Sequence, residues 1–370
     1  MLQAWKIGLA MTALCAALGM SQEAFSKKTV MPQKETILSA DGVLQVQSFA
    51  LPFSSLASRE AKAAFPAAVA LGREAGALLG GDIAVARKRL DEILFLPMIE
   101  RQKARYKVTV TQETIAGIYT DVVMPAEGIS RENRKRVLIN LHGGGFAVGA
   151  KTAGLVEAIP IAAVGKIKVV TVDYRQGPEH VFPAASEDVA AVYRALLKAY
   201  KPRDIGIYGC SAGGLLAAES VAWFDKEGLP QPGAIGIFCA SANVFGRGDS
   251  YHVVPPLLGG PAPPVQEGDG LGPRMIYFKD ADPKSALVAP VNSPELLAKF
   301  PPTLFMTGTR AFDLSVAVDS HRQLIKAGVD ARLHVWDGMG HAFLYDPDLP
   351  ESQEAYDVAA RFFHAQLGRH

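Results

Sequence analysis

Gly209-Cys210-Ser211-Ala212-Gly213 stands directly behind Ile205-Gly206-Ile207-Tyr208 and ahead of an Ala- and Leu-rich stretch that reaches about Lys226. A buried strand, a serine framed by glycines and a helix, in that order, make a nucleophile elbow. The bend is tight, so its neighbours must be glycine or another small residue. The serine is lifted above the sheet edge at a helix N-terminus. There the dipole and the free N–H groups favour developing negative charge. Taken alone, the pentapeptide also occurs as a plain strand–helix turn with a buried serine, the lesser of the two readings. The chain on either side decides between the two.

Working outward, strand-like runs alternate with helical ones. Val108-Thr109-Val110-Thr111 and Ile118 to Val123 come first, then Arg136 to Leu141 and Ile167 to Val172. A helix is predicted near Ser186 to Tyr200, and another from Ser211 to about Lys226. Ala234 to Phe238, Thr303 to Met306 and Ala331 to Val335 are further strands, with helices near Leu314 to Lys326 and Glu351 to Leu367. Apolar strands alternating with helices predict an α/β fold built on a mainly parallel sheet covered on both faces. Residues 106–370 form this core. The Pro- and Gly-rich stretch 243–302 breaks the rhythm and reads as an insertion contributing to a lid or pocket wall. Residues 22–105 read as a polar linker followed by a helical lid, with apolar residues at helical spacing in segments such as Ile83 to Leu90.

Two more segments carry chemistry. His142-Gly143-Gly144-Gly145-Phe146 follows the strand ending at Leu141. Three glycines let the backbone approach a substrate closely. Acyl transfer passes through an oxyanion that backbone N–H groups stabilise. The expected donors are Gly143, Gly144 and Ala212. A phosphate loop is the competing reading, but the Lys-Ser/Thr ending of a nucleotide loop is missing. His142 is expected to hold the loop in shape.

Gly338-Met339-Gly340-His341-Ala342-Phe343 follows the last strand. Its histidine comes late in the order serine, acid, histidine, where a general base for Ser211 belongs. His252, His321, His334, His364 and His370 have no comparable setting. The acid should follow the penultimate strand, in Gly308 to Asp313, where Asp313 is the only carboxylate. Its alternative reading is an N-cap for the next helix. Asp319 is the second candidate, and Asp337 reads as a turn residue. Phe146, Phe245, Phe312 and Phe343 are candidate apolar walls for an acyl pocket.

Composition limits the partners. The chain has 370 residues, 49% hydrophobic and 20% charged, and a net charge of +1. Without a basic patch or a long run of like charge, nucleic acid is not an expected partner. Lys6 and the apolar run Ile7 to Met20, which is shorter than the roughly 20 residues of a bilayer span, predict an export signal over 1–21. A periplasmic or secreted location follows. The alternative is an apolar N-terminal helix packed on the lid or left as an anchor. Of the cysteines, Cys15, Cys210 and Cys239, the last two stand at strand ends and are expected to be buried thiols, with a disulfide between neighbouring strand ends as the alternative. Their spacing fits no zinc site.

The chain resembles the bacterial hormone-sensitive-lipase-like esterases, a branch of the α/β-hydrolases. The resemblance rests on His142-Gly143-Gly144-Gly145-Phe146, Asp173-Tyr174-Arg175, Pro178-Glu179-His180, Phe182-Pro183-Ala184-Ala185, Gly209-x-Ser211-Ala212-Gly213-Gly214, Pro301-Pro302-Thr303 and Gly340-His341, in the family's order. It implies an eight-stranded core, an N-terminal lid and cofactor-free hydrolysis of short acyl esters. Three departures stand out. Cys210 replaces an acidic residue, Gln176-Gly177 replaces Leu-Ala, and Ala311 stands where many members carry the acid. The acid is then expected two residues on, at Asp313. The sequence leaves open an amidase, formamidase or lactonase on the same triad, a non-catalytic ligand-binding protein on the same fold, and a homodimer.

Overall fold

Eight strands form one sheet in the computed structural model, which describes residues 37–40, 42–46, 50–244, 246–260 and 276–369. The expected export segment at 1–21 and Phe245 lie outside the described residues. Contacts divide the chain into two units, Met1–Pro52 and Phe53–His370. In the first, Ile37–Leu38 pairs antiparallel with Leu44–Gln45.

The second unit carries the sheet. Its strands are β1 (Val108–Ile115), β2 (Ile118–Pro125), β3 (Val137–Leu141), β4 (Lys168–Val172), β5 (Ile205–Cys210), β6 (Ala234–Phe238), β7 (Thr303–Arg310) and β8 (Ala331–Gly340). The spatial order is β8-β7-β6-β5-β3-β4-β2-β1. β2 runs antiparallel to both its neighbours, and every other pairing is parallel. Helices cover both faces, which is why β3, β5 and β6 are buried along their whole length and read as apolar runs.

Successive residues on a strand serve opposite faces. Val137, Ile139 and Leu141 point to one core with Ile205, Ile207, Ile235 and Ile237. On that side pack α5 (Ala184–Leu196), α6 (Ala212–Lys226) and α8 (Leu314–Lys326). Leu138, Val169, Tyr208 and Phe238 point to the other core, under α4 (Ala153–Gly165) and α9 (Pro350–Gln366). Tyr193 on α5 stacks on Phe224 of α6 with centroids 4.3 Å apart. Burying such a ring contributes about 1.5–3 kcal/mol.

Before β1 come α1 (Arg59–Leu79), α2 (Ile83–Leu90), a π-helical turn (Asp91–Phe95) and α3 (Leu96–Arg105). The described part of the insertion holds α7 (Asp249–Leu257). The helix α4 has no counterpart in the sequence reading. Its sequence is apolar on every side and contains Pro160, so it offers no amphipathic stripe to recognise.

Candidate active site

Three loops meet at the C-terminal end of the central strands. The first is the elbow between β5 and α6. Ser211 has φ 56° and ψ −122°, a conformation that costs a non-glycine residue about 1–3 kcal/mol. The surroundings enforce it. The Ser211 N–H donates to the Phe238 carbonyl at 2.8 Å. A Cβ on Gly213 would stand 1.7 Å from the Leu141 carbonyl oxygen, so only glycine lets α6 start this close to β3. The α6 N-terminus therefore lies directly beneath the serine.

The second loop is His142 to Phe146. Gly144 has φ +121°, and a Cβ there would meet the Val148 carbonyl oxygen at 2.1 Å. Gly143 packs against the elbow: a Cβ there would lie 3.4 Å from the Ser211 Cβ. His142 is buried and holds the loop in shape. Its Nδ1–H donates to the Gly143 carbonyl at 2.6 Å, and its Nε2 lies 3.1 Å from Gln176 Nε2. That network assigns the neutral Nδ1–H tautomer. Burial pushes the imidazole below its ordinary pKa. The ring stacks on Tyr174, whose hydroxyl donates to the His142 carbonyl at 2.6 Å. Gln176, one of the departures from the family pattern, thus supports the Gly-rich loop through His142.

The third loop follows β8. His341 Nε2 lies 2.9 Å from Ser211 Oγ, and His341 Nδ1 lies 2.6 Å from Asp313 Oδ1. Asp313 is fully buried, and its second oxygen accepts from Thr307 Oγ at 2.6 Å. Asp313 stands at the N-cap position of α8, yet its side chain makes no capping bond. The carboxylate is turned to the imidazole instead. Asp319 does not join the group; it pairs with Arg322 at 2.7 Å and Gln323 at 2.6 Å along α8. Asp337 accepts from Ser54 and Thr309. Cys239 Sγ accepts from the Ala342 N–H at 3.3 Å, and Cys210 and Cys239 are free, buried thiols.

The expected oxyanion donors need one correction. The Gly143 N–H donates to Glu157 Oε1 at 2.8 Å and faces a buried carboxylate, so it is committed elsewhere. The N–H groups of Gly144 and Ala212 find no acceptor among the described residues. The pocket walls need another. Phe146 is fully buried and stacked on Tyr277 at 4.7 Å, so it belongs to the core. Phe343 is also buried, against Trp336. Phe312 does reach the site, stacking on His341 at 4.3 Å. Glu157 and Thr307 were not anticipated. The one readable signal was an acid inside an otherwise apolar stretch. Among the described residues no cluster of His, Cys, Asp and Glu is arranged to hold a metal.

Known proteins share this fold. The alpha/beta hydrolase fold family profile matches residues 138–345, more than half of the chain. An acetyl-hydrolase from Streptomyces hygroscopicus is 28% identical over 237 residues, 63% of this chain and 77% of its own. The crystal structure of esterase E25 superposes with a TM-score of 0.73 at 28% identity, covering 87% of this chain and 98% of that one. An esterase from the bacterial hormone-sensitive lipase family gives a TM-score of 0.66 at 26% identity, covering 80% and 98%. The chain belongs to the alpha/beta hydrolase fold family and is a carboxylic ester hydrolase, with an esterase of the bacterial hormone-sensitive lipase family among its structural neighbours.

Proposed function

We propose that the protein is a serine carboxylesterase for short-chain acyl esters, working through an acyl-enzyme intermediate. The observation that carries this reading is the unbroken line Ser211 Oγ–His341 Nε2 at 2.9 Å and His341 Nδ1–Asp313 Oδ1 at 2.6 Å. In the first step Ser211 Oγ attacks the ester carbonyl as His341 Nε2 takes its proton. Asp313 holds the ring and stabilises the imidazolium. The oxyanion is met by the N–H groups of Gly144 and Ala212, each worth about 2.7–4 kcal/mol in the barrier. His341 then protonates the departing alcohol. Water activated by the same nitrogen releases the acid.

The short-chain reading draws support from the similarity to the Streptomyces acetyl-hydrolase. Phe312, beside His341, is an apolar surface at the site. Helices α1–α3 act as the lid. Arg87 on α2 supports this: it donates to the Ala147 carbonyl at 2.7 Å and the Gly177 carbonyl at 2.9 Å, and forks onto Glu179. Those contacts seat the helices against the end of the oxyanion loop. Residues 1–21 direct export, which N-terminal sequencing of the mature protein tests by the loss of that segment.

The substrate reading is tested by a panel of p-nitrophenyl esters from acetate to palmitate, with matched anilides and lactones. Acetate and butyrate should turn over fastest, and Ser211→Ala should abolish the activity. Anilide or lactone turnover exceeding that of the esters would favour the amidase or lactonase reading.

A further inference from the structure

Glu157 lies on α4 with 2% of its surface exposed, in a helix otherwise lined with apolar side chains. A carboxylate at such a depth is costly unless its oxygens are hydrogen-bonded. Here both are. Oε1 accepts from the Gly143 N–H at 2.8 Å and the Tyr345 hydroxyl at 2.7 Å. Oε2 accepts from Asn140 Nδ2 at 2.8 Å and the Cys210 N–H at 3.2 Å. Burial nonetheless dominates and lifts the group to about 7, against the pull of those four donors.

The four donors come from different parts of the site. Asn140 stands near the end of β3, and Gly143 is in the oxyanion loop. Cys210 immediately precedes the nucleophile. Tyr345 lies just past His341, in the turn Phe343–Tyr345. We propose that Glu157 is a positioning residue for this reaction, a single carboxylate that holds the oxyanion loop, the elbow and the histidine loop in register. The inference rests on the serine-esterase reading above. Glu157 touches no reacting atom and acts only through those loops. There is little slack for the loops to settle elsewhere: a Cβ on Gly143 would meet the Tyr345 hydroxyl at 2.5 Å and the Cys210 carbonyl at 3.0 Å. By binding the Gly143 N–H, Glu157 also determines which amides of the loop remain for the oxyanion.

Glu157→Gln is the direct probe. Either orientation of the amide turns an NH₂ toward one backbone N–H, of Gly143 or of Cys210, and neither can become an acceptor. The loops must then separate. On p-nitrophenyl butyrate, kcat should fall about 10- to 100-fold with KM nearly unchanged, because misplacement acts on the transition state. Inhibition by a boronic acid, which mimics the tetrahedral state, should weaken by a similar factor. Tyr345→Phe, which removes one bond and keeps the charge, should lower kcat by about three- to tenfold in the same pattern. It serves as the test should Glu157→Gln fail to fold.

A folded Glu157→Gln enzyme with kcat and boronate affinity within twofold of the parent overturns the inference. So does a lowered melting temperature with unchanged kcat, or, where only Tyr345→Phe folds, unchanged kcat and boronate affinity in that variant. Fluorophosphonate labelling separates this from the underlying reading. Parent enzyme that labels at Ser211 while Glu157→Gln is unimpaired removes the positioning role alone. Parent enzyme that does not label removes the serine mechanism, and the positioning role with it.

Discussion

Asp313 meets His341 from the N-cap position of α8, three residues beyond the Thr309-Arg310 pair, with Oδ1 2.6 Å from Nδ1. Ala311 fills the place directly after that pair and is buried. The carboxylate can reach the ring from its later position because it leaves the helix N-terminus uncapped and takes a hydrogen bond from Thr307 instead.

That arrangement ranks two aspartates. Asp313→Asn should lower kcat by about 10³- to 10⁴-fold, since the amide no longer holds the required imidazole tautomer. Asp319→Asn should stay within about twofold, because its partners are Arg322 and Gln323. Steady-state hydrolysis of p-nitrophenyl butyrate by both variants checks the order, and the opposite ranking would move the acid to Asp319.

Two glycine-to-alanine changes should have opposite signs. Gly213→Ala places a methyl 1.7 Å from the Leu141 carbonyl oxygen, so α6 must move off β3. A loss of about 3 kcal/mol or more is expected, together with the activity. Gly72 sits within α1 with no described residue near its Cβ position. Gly72→Ala should be neutral or gain about 0.5–1 kcal/mol. Urea unfolding of the two proteins reads the contrast, and equal midpoints would refute the close approach at the elbow.

Glu219 makes stability depend on pH. It is fully buried in α6, neither of its oxygens has a hydrogen-bond partner among the described residues, and burial raises its carboxyl well above the ordinary range. The folded state therefore keeps a proton that the unfolded state releases near pH 4. The stability this group lends is complete below that pH and is lost as pH rises toward the folded value. Glu219→Gln cannot ionise. Its stability relative to the parent should grow between pH 5 and pH 8, by up to about 1.4 kcal/mol per pH unit. A pH-independent difference in urea unfolding would show that Glu219 is not held neutral.

The sequence announced the sheet because its strands are covered on both faces, and continuous apolar runs such as Val137–Leu141 are what that burial requires. Ser211, His341 and Asp313 were legible through local turn chemistry and chain order. Helix α4 was not, since a helix buried all round has no polar face to set its period. The misassigned Gly143 follows from that gap. Its N–H partner, Glu157, is 14 residues along the chain and inside the unrecognised helix. Phe146, a candidate pocket wall by sequence, belongs to the core instead. Its φ of 56° turns the ring back onto Tyr277.

Covalent capture reads the central claim most directly. Native protein treated with a fluorophosphonate should gain one adduct, located by peptide mass spectrometry on Ser211, with hydrolysis lost in step. His341→Ala should label far more slowly. An adduct on another residue, or full hydrolytic activity remaining in protein whose Ser211 is completely modified, would contradict the account.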